Sequence, residues 1–408
     1  MPDPTDTSAT AEGRYLQRFQ VAYEYPVFFT RAVFDPANRV FVDAVAREEP
    51  DRRHRVQFVL DAGVVAAWPR LIADIEGYVG LHAAHLILAG PPLVVPGGEV
   101  VKNDRRALEE VLGAFAERRL DRHAFVAIVG GGSVQDMVGY AAATAHRGIR
   151  VVRVPTTVLA QADGGVGVKN GVNAFGGKNY LGTFAPPYAV IDDFAFLETL
   201  ARRDRVAGLA EAVKVGLIRD AAFFRRMEAE ADALARFDPD ATARVVRRCA
   251  ELHLEHIAGS GDPFERAAAR PLDYGHWSAH RLELATRHRL NHGEAVAIGM
   301  ALDARYAFET GLLAEPDVES IRGLLERLGL ALWDDALLET DPGGRLAILA
   351  GLEEFREHLG GELTVTLLEG IGRPVNVHEM DPAAIARAVA WLRDRSGPQT
   401  RSAAARGR

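Results

Sequence analysis

Three histidines near the middle of the C-terminal half are the first residues whose spacing could do chemistry. His276 and His280 are four residues apart, so a helix would place both imidazoles on one face. His292 precedes Gly293 at the start of an apolar stretch with helical spacing. A neutral imidazole offers a lone pair to a metal ion. These residues are candidate metal ligands, with surface histidines as the alternative in a chain that has 13 of them.

A carboxylate on another predicted helix could complete a metal site. Glu211 lies in "GLAEAVKVG", among aliphatic side chains and three residues before Lys214. Burial of a carboxylate is costly unless a cation or a metal compensates it. A simple ion pair with Lys214 is one interpretation. The other is that Glu211, His276 and His292 give zinc one oxygen and two nitrogens, which leaves a coordination position open for substrate.

A glycine-rich turn predicts a second site. The segment "AIVGGGSVQDMVGYAAA" reads as a strand, three glycines and a helix, and the glycines are Gly130, Gly131 and Gly132. Glycine allows positive φ and a close approach of the backbone, and a helix N-terminus favours a pyrophosphate. Asp136 follows one turn later. In "PGGEVVKND", Glu99 suits a ribose diol and Lys102 a charged neighbour, although the two could also form an exposed ion pair.

The stretch "VPTTVLAQADGGVGVKNGVNAFGGKNYLGTFAPP" is dense in glycine and asparagine and has only three charged residues, Asp163, Lys169 and Lys178. Long loops of this kind in compact domains are usually functional. Lys169 and Lys178 could converge on an anion, and Asn179 could add a neutral donor. We therefore expect a phosphate or carboxylate site here, with a merely flexible loop as the alternative. Arg147 lies at the end of the preceding helix.

The elements that position these residues divide the chain in two. Between residues 56 and 193, short aliphatic runs that end in Gly, Pro or Asp alternate with helical patterns, which predicts a doubly wound parallel α/β sheet. After Phe194 the patterns are helical except for a late strand in "GELTVTLLEG". We predict an α/β domain over 21–193 and a mostly helical domain over 194–393. Residues 1–20 and 394–408 have the composition of disordered ends.

Composition excludes several classes of function. The net charge of −8 argues against nucleic acid as the main partner. No apolar run approaches the roughly 18 residues of a membrane span, and the N-terminus lacks the features of a signal peptide. Cys249 is the only cysteine, which favours a reducing cytoplasm, and its helical context predicts a core residue. The aromatic segment "VAYEYPVFFTRAVFDP" predicts an extra strand or arm.

Taken together, these segments resemble the sugar phosphate cyclase superfamily, whose best-known members are the 3-dehydroquinate synthases. The resemblance rests on the order of "GGGSVQDMVGYAAATAHRG", the Gly/Asn-rich stretch, "GLAEAVKVG", "DYGHWSAH" and "LNHGEAVAIGM", and runs from about Asp61 to Met300. It implies a Rossmann-like NAD-binding domain followed by a helical metal-binding domain, in a homodimer. It also implies transient oxidation of a sugar phosphate by NAD, loss of phosphate, return of the hydride and closure of a carbocycle.

The resemblance also implies a role for each matching residue. Zinc or cobalt would be held by Glu211, His276 and His292. NAD would be bound by Asp61, Glu99, Lys102, Gly130, Gly131, Gly132, Asp136, Thr156, Thr157 and Asp163, with Lys178 lining the cofactor or the site. Substrate would contact Lys169, Lys214, Asn179, Arg270 and His280, with Arg147 reaching in from the partner subunit.

Two departures leave the substrate open. His253 stands where 3-dehydroquinate synthases have Lys, and Asp273 where they have Asn, which removes positive charge and adds negative charge beside the expected substrate carboxylate. The mixture is most similar to the EboD-type branch. The substrate is thus a heptulose 7-phosphate as in the synthases, or sedoheptulose 7-phosphate, or another sugar phosphate. Two further alternatives are a glycerol-dehydrogenase-like oxidoreductase that uses NAD and a metal, and a non-catalytic binding protein of an operon.

Overall fold

The computed structural model of the protein describes residues 16–175, 177–259, 262–264, 271–358 and 361–396. The strands are β1 (Val27–Thr30), β2 (His54–Asp61), β3 (Leu86–Leu88), β4 (Leu93–Val95), β5 (Phe125–Gly130), β6 (Arg150–Pro155), β7 (Lys169–Ala174), β8 (Gly177–Phe184), β9 (Ala189–Asp193), β10 (Val365–Gly370) and β11 (Arg373–Val377). The helices are α1 (Val40–Ala46), α2 (Ala62–Ala67), α3 (Leu71–Leu81), α4 (Val100–Asn103), α5 (Arg105–Glu117), α6 (Gly132–Thr144), α7 (Arg202–Arg219), α8 (Ala221–Ala229), α9 (Ala231–Ala235), α10 (Pro239–Gly259), α11 (His276–Ala285), α12 (His292–Glu309), α13 (Glu315–Leu328), α14 (Ala350–His358) and α15 (Pro382–Arg395).

The N-terminal half forms the predicted parallel sheet. Its strand order is β1-β9-β6-β5-β2-β3, and β4 pairs with the same strand, β2, as β3 does. All these pairings are parallel. The central strands are apolar and buried on both faces because helices α1 and α3 cover one side and α5 and α6 the other. Since β2, β5 and β6 are neighbours in register, their carboxyl ends place Asp61, Gly130 and Thr156 at one edge of the sheet.

The C-terminal half is mostly helical, as predicted, and has its own apolar core. Helix α7 lies at the centre of this half, since every residue from Val206 to Ile218 is buried. A helix that is surrounded on all sides must bury whatever polar residues it carries. Glu211 and Lys214 are therefore inside the protein rather than on an amphipathic surface.

Three predictions of local structure need correction or extension. The Gly/Asn-rich stretch is not a plain loop, because after a π-helical turn over Ala160–Gly164 it folds into the antiparallel hairpin β7–β8. Asparagine and glycine are depleted in strands, so the pattern hid this hairpin. The late strand β10 has an antiparallel partner, β11, whose Pro374 masked it in the sequence. The aromatic segment supplies β1, an edge strand beside β9.

Two smaller observations complete the fold. Cys249 is fully buried in the helical core, where it packs as predicted. Among the described helices, none combines the length and the hydropathy needed to cross a bilayer.

Candidate active site

Three helices bring Glu211, His276 and His292 together. Glu211 comes from the middle of α7, while His276 and His292 are the first residues of α11 and α12. The start of α12 packs so closely on α7 that a Cβ on Gly293 would lie 2.0 Å from the carbonyl oxygen of Ala207. Gly275, with φ of 78°, turns the chain into α11 and leaves no room for a side chain against Met300. These glycines let the helix ends meet.

The resulting geometry suits a metal ion. The candidate ligand atoms of the three residues all lie within 4.8 Å of one another. His292 Nε2 is 3.5 Å and His276 Nε2 is 3.9 Å from the same oxygen of Glu211. His276 Nδ1 is 3.0 Å from the carbonyl oxygen of Tyr274, which directs its other nitrogen toward the cluster. Such a partner fixes the tautomer of a ligating histidine.

The electrostatics of the cluster also fit a cation. Glu211 is fully buried, and neither oxygen accepts a hydrogen bond of normal geometry from the described residues, although Lys214 lies in ion-pair contact. Burial opposes ionisation of Glu211, but Lys214 and the two histidines outweigh burial and hold its pKa well below the ordinary value. Burial and Lys214 hold the pKa of His276 well below its usual value, so this imidazole is neutral and able to donate a lone pair.

Glu283 is a site residue that the sequence analysis missed. Its buried carboxylate accepts from His292 Nδ1 at 3.2 Å and from Lys178 Nζ at 3.2 Å. Burial opposes the charged form of His292, but the carboxylates of Glu211 and Glu283 outweigh burial and raise its pKa to about 9. Spacing could have revealed Glu283, because it lies seven residues after His276 and three after His280, on the same helical face. With His280 and His292, Glu283 forms a second set whose candidate ligand atoms lie within 4.8 Å of one another.

Asp303 on α12, which was also missed, supports the helix that carries His276. Its two oxygens accept from Trp277 Nε1 at 2.8 Å and from the backbone N–H of Gly275 at 3.0 Å. These donors flank His276 in sequence. Asp303 is fully buried, and the apolar residues three positions before and after it, Met300 and Tyr306, could have indicated its burial.

A second charged group adjoins the metal cluster. Lys214 contacts Glu211, and its Nζ is 3.9 Å from Asp163. Asp163 is also 3.3 Å from His253 Nδ1 on α10. Burial would lower the pKa of Lys214, but Glu211, Asp163 and Asp273 outweigh burial and raise it. Of the two residues predicted to face the substrate, Asp273 thus acts on Lys214, and His253 contacts Asp163, a residue predicted to bind NAD.

The glycine turn opens helix α6. Gly131 is its N-cap residue, and none of the three glycines has positive φ, contrary to one reason given for them. Gly130 is packed, since a Cβ there would lie 3.0 Å from Asp61 and Val134. A Cβ on Gly132 would have no described neighbour within 4 Å. The N-terminus of α6 is therefore open to a ligand and fits an anionic group such as a pyrophosphate.

The remaining residues predicted for NAD surround this turn. Lys102 is buried rather than exposed, and its Nζ donates to Asp136 at 2.8 Å and contacts Asn179 Oδ1. Glu99 accepts from Ser133 at 2.8 Å. Thr157 lies against Gly131, and the Thr156 hydroxyl is buried without a hydrogen bond among the described residues. Asp61 caps α2 through the N–H of Gly63.

Of four other candidate residues, three lie on the hairpin β7–β8 and one follows α6. Lys178 and Asn179 come from β8 and reach Glu283 and Lys102, while exposed Lys169 begins β7. Arg147 is exposed just beyond the C-terminal end of α6. A helix of this length places it roughly 20 Å from the glycine turn, so within one chain it lies at the far end of α6 from that turn. Arg270 lies outside the described residues.

Two family models, for the two parts of 3-dehydroquinate synthases, match consecutive parts of the chain. The 3-dehydroquinate synthase N-terminal model covers residues 92–207, and the C-terminal model covers residues 208–343. A 3-dehydroquinate synthase from Halorhodospira halophila is 40% identical over 337 residues, which is 80% of this chain and 92% of that protein. The same name is carried by a protein from Xanthomonas oryzae pv. oryzae, which is 38% identical over 76% of this chain and 85% of its own length.

A solved structure agrees with the sequence relatives. The 2-epi-5-epi-valiolone synthase ValA from Streptomyces hygroscopicus, with NAD⁺ and Zn²⁺ bound, has a TM-score of 0.82 and 30% identity and covers 93% of this chain and 100% of its own. With relatives of this similarity, and with both halves of the family model matched, the chain belongs to the 3-dehydroquinate synthase family of sugar phosphate cyclases.

Proposed function

We propose that this protein converts a heptulose 7-phosphate into a carbocycle with elimination of phosphate, using a divalent metal and NAD that is regenerated in each cycle. The observation that carries the proposal is the buried Glu211–His276–His292 set beside Lys214. Its composition of one carboxylate and two imidazoles is that of an open catalytic zinc site. Membership of the 3-dehydroquinate synthase family supports a catalytic role for this set.

Glu211, His276 and His292 would hold zinc or cobalt, and the turn at Gly131 and Gly132 would receive the pyrophosphate of NAD. When bound, the metal polarises a substrate hydroxyl and NAD accepts and returns a hydride. Glu99, which contacts Ser133 beside this turn, would accept a hydrogen bond from a ribose hydroxyl of NAD. The same assignment gives Asp61, Asp136, Thr156 and Thr157 to the cofactor pocket.

The chain's own groups would orient the sugar phosphate. Lys169 and Asn179 on the hairpin would bind its phosphate, and Lys178 would line that side of the site. Lys214, held protonated by the carboxylates around it, can donate a hydrogen bond to a substrate oxygen near the metal. His280 adjoins His276, with ring centroids 5.5 Å apart, and can contact the same end of the substrate. Arg270 would be a further contact.

Two sugar phosphates are candidate substrates. The first is 3-deoxy-D-arabino-heptulosonate 7-phosphate, in keeping with the sequence relatives. The second is sedoheptulose 7-phosphate, which has no carboxylate. The carboxylates of Asp163 and Asp273 around Lys214 favour the second, because they compete with a substrate carboxylate for the cation. His253 is engaged by Asp163 as well.

The proposal includes a cytoplasmic homodimer with a small-molecule substrate and without nucleic acid or membrane partners. The hairpin exposes Phe175, Tyr180 and Phe184, and exposed apolar side chains in one region are typical of protein contacts. Arg147, at the far end of α6 from the glycine turn of its own chain, would enter the partner's site. The single cysteine supports a reducing compartment.

A phosphate-release assay with NAD and zinc tests the reaction and compares the two sugar phosphates. Turnover of 3-deoxy-D-arabino-heptulosonate 7-phosphate supports the synthase activity, and turnover of sedoheptulose 7-phosphate alone supports the second candidate. Net NADH release from an alcohol substrate would instead support the glycerol-dehydrogenase-like alternative. A purified protein that binds neither zinc nor cobalt would favour the non-catalytic alternative.

A further inference from the structure

A buried arginine organises the loop that joins Asp163 to Lys169. Arg153 lies on β6, and only 1% of its surface is exposed. Its guanidinium donates five hydrogen bonds, at 2.7–3.3 Å, to the carbonyl oxygens of Gly164, Gly165, Gly167 and Lys169 and to the side chain of Asn170. A single side chain thus contacts four carbonyl groups within six consecutive residues.

The carbonyl groups of Val166 and Val168 in this loop also accept hydrogen bonds from residues outside the loop. The hydroxyl of Tyr25, in the segment before β1, donates to the carbonyl oxygen of Val166 at 2.8 Å. The carbonyl oxygen of Val168 accepts from the N–H of Ala185 at 2.9 Å and from the Asn170 amide at 3.3 Å. Every carbonyl from residue 164 to residue 169 therefore has a donor, which fixes the backbone as a strand ladder would.

The burial of Arg153 carries a cost in the free energy of folding. Among the described residues, no carboxylate lies within ion-pair distance of Arg153 and its Nε has no hydrogen-bond partner, although the buried carboxylate of Asp136 attracts it from farther away. Burial of a charge without a directly bonded counter-charge costs several kcal/mol unless hydrogen bonds compensate. Arg153 makes its hydrogen bonds almost entirely to one loop, so its position defines that loop rather than the sheet.

The loop connects two groups of the candidate site. Asp163, at its start, contacts His253 and Lys214, and Lys169, at its end, is bonded to Arg153 through its own carbonyl oxygen. Displacement of the loop would move both side chains relative to Glu211, which belongs to α7.

We propose that Arg153, assisted by Tyr25, is the positioning residue that sets Asp163 and Lys169 for the reacting sugar phosphate. Its catalytic consequence rests on the proposed function, whereas its effect on the loop does not. The proposal also gives the aromatic N-terminal segment a part in the site, because Tyr25 supplies one of the donors.

The test compares Arg153→Lys with Arg150→Lys in the metal-loaded protein. Arg150 is on the same strand and forms an ion pair with Glu49 at 3.0 Å, away from the loop, so it is the matched control. A lysine cannot reproduce the forked donors of a guanidinium. We expect amide hydrogen exchange in residues 163–170 to accelerate by about tenfold or more in Arg153→Lys only. Tyr25→Phe, which removes one donor, should have a smaller effect on the same amides.

Two measurements accompany the exchange experiment. In Arg153→Lys, kcat/KM for the sugar phosphate should fall by about a hundredfold, because misplacement of binding groups has effects of that size. Metal content should stay at the wild-type level, since the candidate ligands lie on other elements. Arg150→Lys should leave all three quantities within about twofold of wild type, because the hydrogen bonds of this half-buried arginine go to Glu49 and His123 and not to the loop.

Several results would overturn the proposal. Unchanged exchange in residues 163–170 of Arg153→Lys would show that the arginine does not hold the loop. If exchange accelerated throughout the sheet and the metal were lost, Arg153 would be a residue that the whole fold requires and not one that positions the loop. A loosened loop with full turnover would refute the positioning role. If wild-type protein turns over neither sugar phosphate, the proposed function fails, and the exchange data still decide whether Arg153 positions the loop.

Discussion

The candidate metal-ligand set and the loop from Asp163 to Lys169 both approach Lys214, through Glu211 and Asp163 respectively, yet they are held in different ways. Glu211, His276 and His292 belong to helices whose ends are fixed by close packing and by capping, including the capping box of Asn291 and Glu294 on α12. The loop has only the last two residues of a π-helical turn at its start and the first residue of β7 at its end. Between them, most of its carbonyl groups accept hydrogen bonds from side chains of β6 and of the N-terminal segment.

The difference has a physical origin. A metal ligand must be placed to within a few tenths of an ångström, and helix ends packed on each other provide that precision. Groups that bind a substrate must move with it when its shape changes during the reaction. A loop that is held by several hydrogen bonds permits such small movements. The comparison predicts that changes at the helices abolish metal binding, whereas changes at the loop alter substrate parameters and leave the metal in place.

The largest effect should follow removal of the buried carboxylate. In Glu211→Gln we expect the metal to be lost and turnover to fall to background, because the charge that favours a cation in the core is gone. Metal analysis and phosphate release measure this, and NAD binding by calorimetry is the control. Loss of NAD binding with metal retained would contradict the assignment.

Arg147→Ala should lower turnover by about a hundredfold through the loss of one substrate contact, with metal content unchanged. The distinguishing measurement is complementation. Mixing Arg147→Ala with Glu211→Gln should restore part of the activity, since one site of a mixed dimer would be intact. Absence of any restoration in verified mixed dimers would argue against a shared site.

Glu283→Gln should weaken metal affinity by about 10- to 100-fold, the usual range for partners of metal ligands, because His292 Nδ1 loses a charged acceptor. Glu354→Gln is the control, since Glu354 pairs with Arg281 of the same helix on the exposed side. Competition with a zinc chelator gives the dissociation constants. Equal affinities in the two variants would remove Glu283 from the site.

The smallest effect concerns pH and stability. Burial raises the pKa of Asp303 to about 7. Between the ordinary carboxyl pKa and that value, the unfolded chain loses this proton and the folded protein keeps it, so stability falls as pH rises. Relative to Asp303→Asn, the free energy of unfolding of metal-free wild type should fall by on the order of 2 kcal/mol between pH 5 and pH 8. Urea unfolding at the two pH values checks this, and a constant difference would show that Asp303 titrates normally.

The sequence predicts the helical side of the site better than the loop side. His276 and His280 are recognisable from their four-residue spacing, and Glu211 from its aliphatic surroundings. The same spacing argument reaches Glu283 once it is extended by one more turn. Helical periodicity is local, so a pattern in one segment is enough to place these residues on a face.

The loop side depends on contacts that are remote in the chain. Tyr25 is 141 residues from Val166, and Arg153 in "RVVRVP" looks like any polar residue near a strand end. The hairpin β7–β8 is formed by mutual pairing of residues that rarely favour strands individually. No periodicity within the segment contains that information.

The contact of Lys178 with Glu283 has a practical consequence for chemical labelling. The Lys178 side chain is 37% exposed on the hairpin, yet its amine contacts the Glu283 carboxylate that also contacts His292. An amine-reactive dye or crosslinker that acylates Lys178 would cancel its positive charge and leave Glu283 facing the imidazole alone. Batches labelled through surface amines would then differ from unlabelled protein in how tightly they retain zinc, even though the reagent never enters the core.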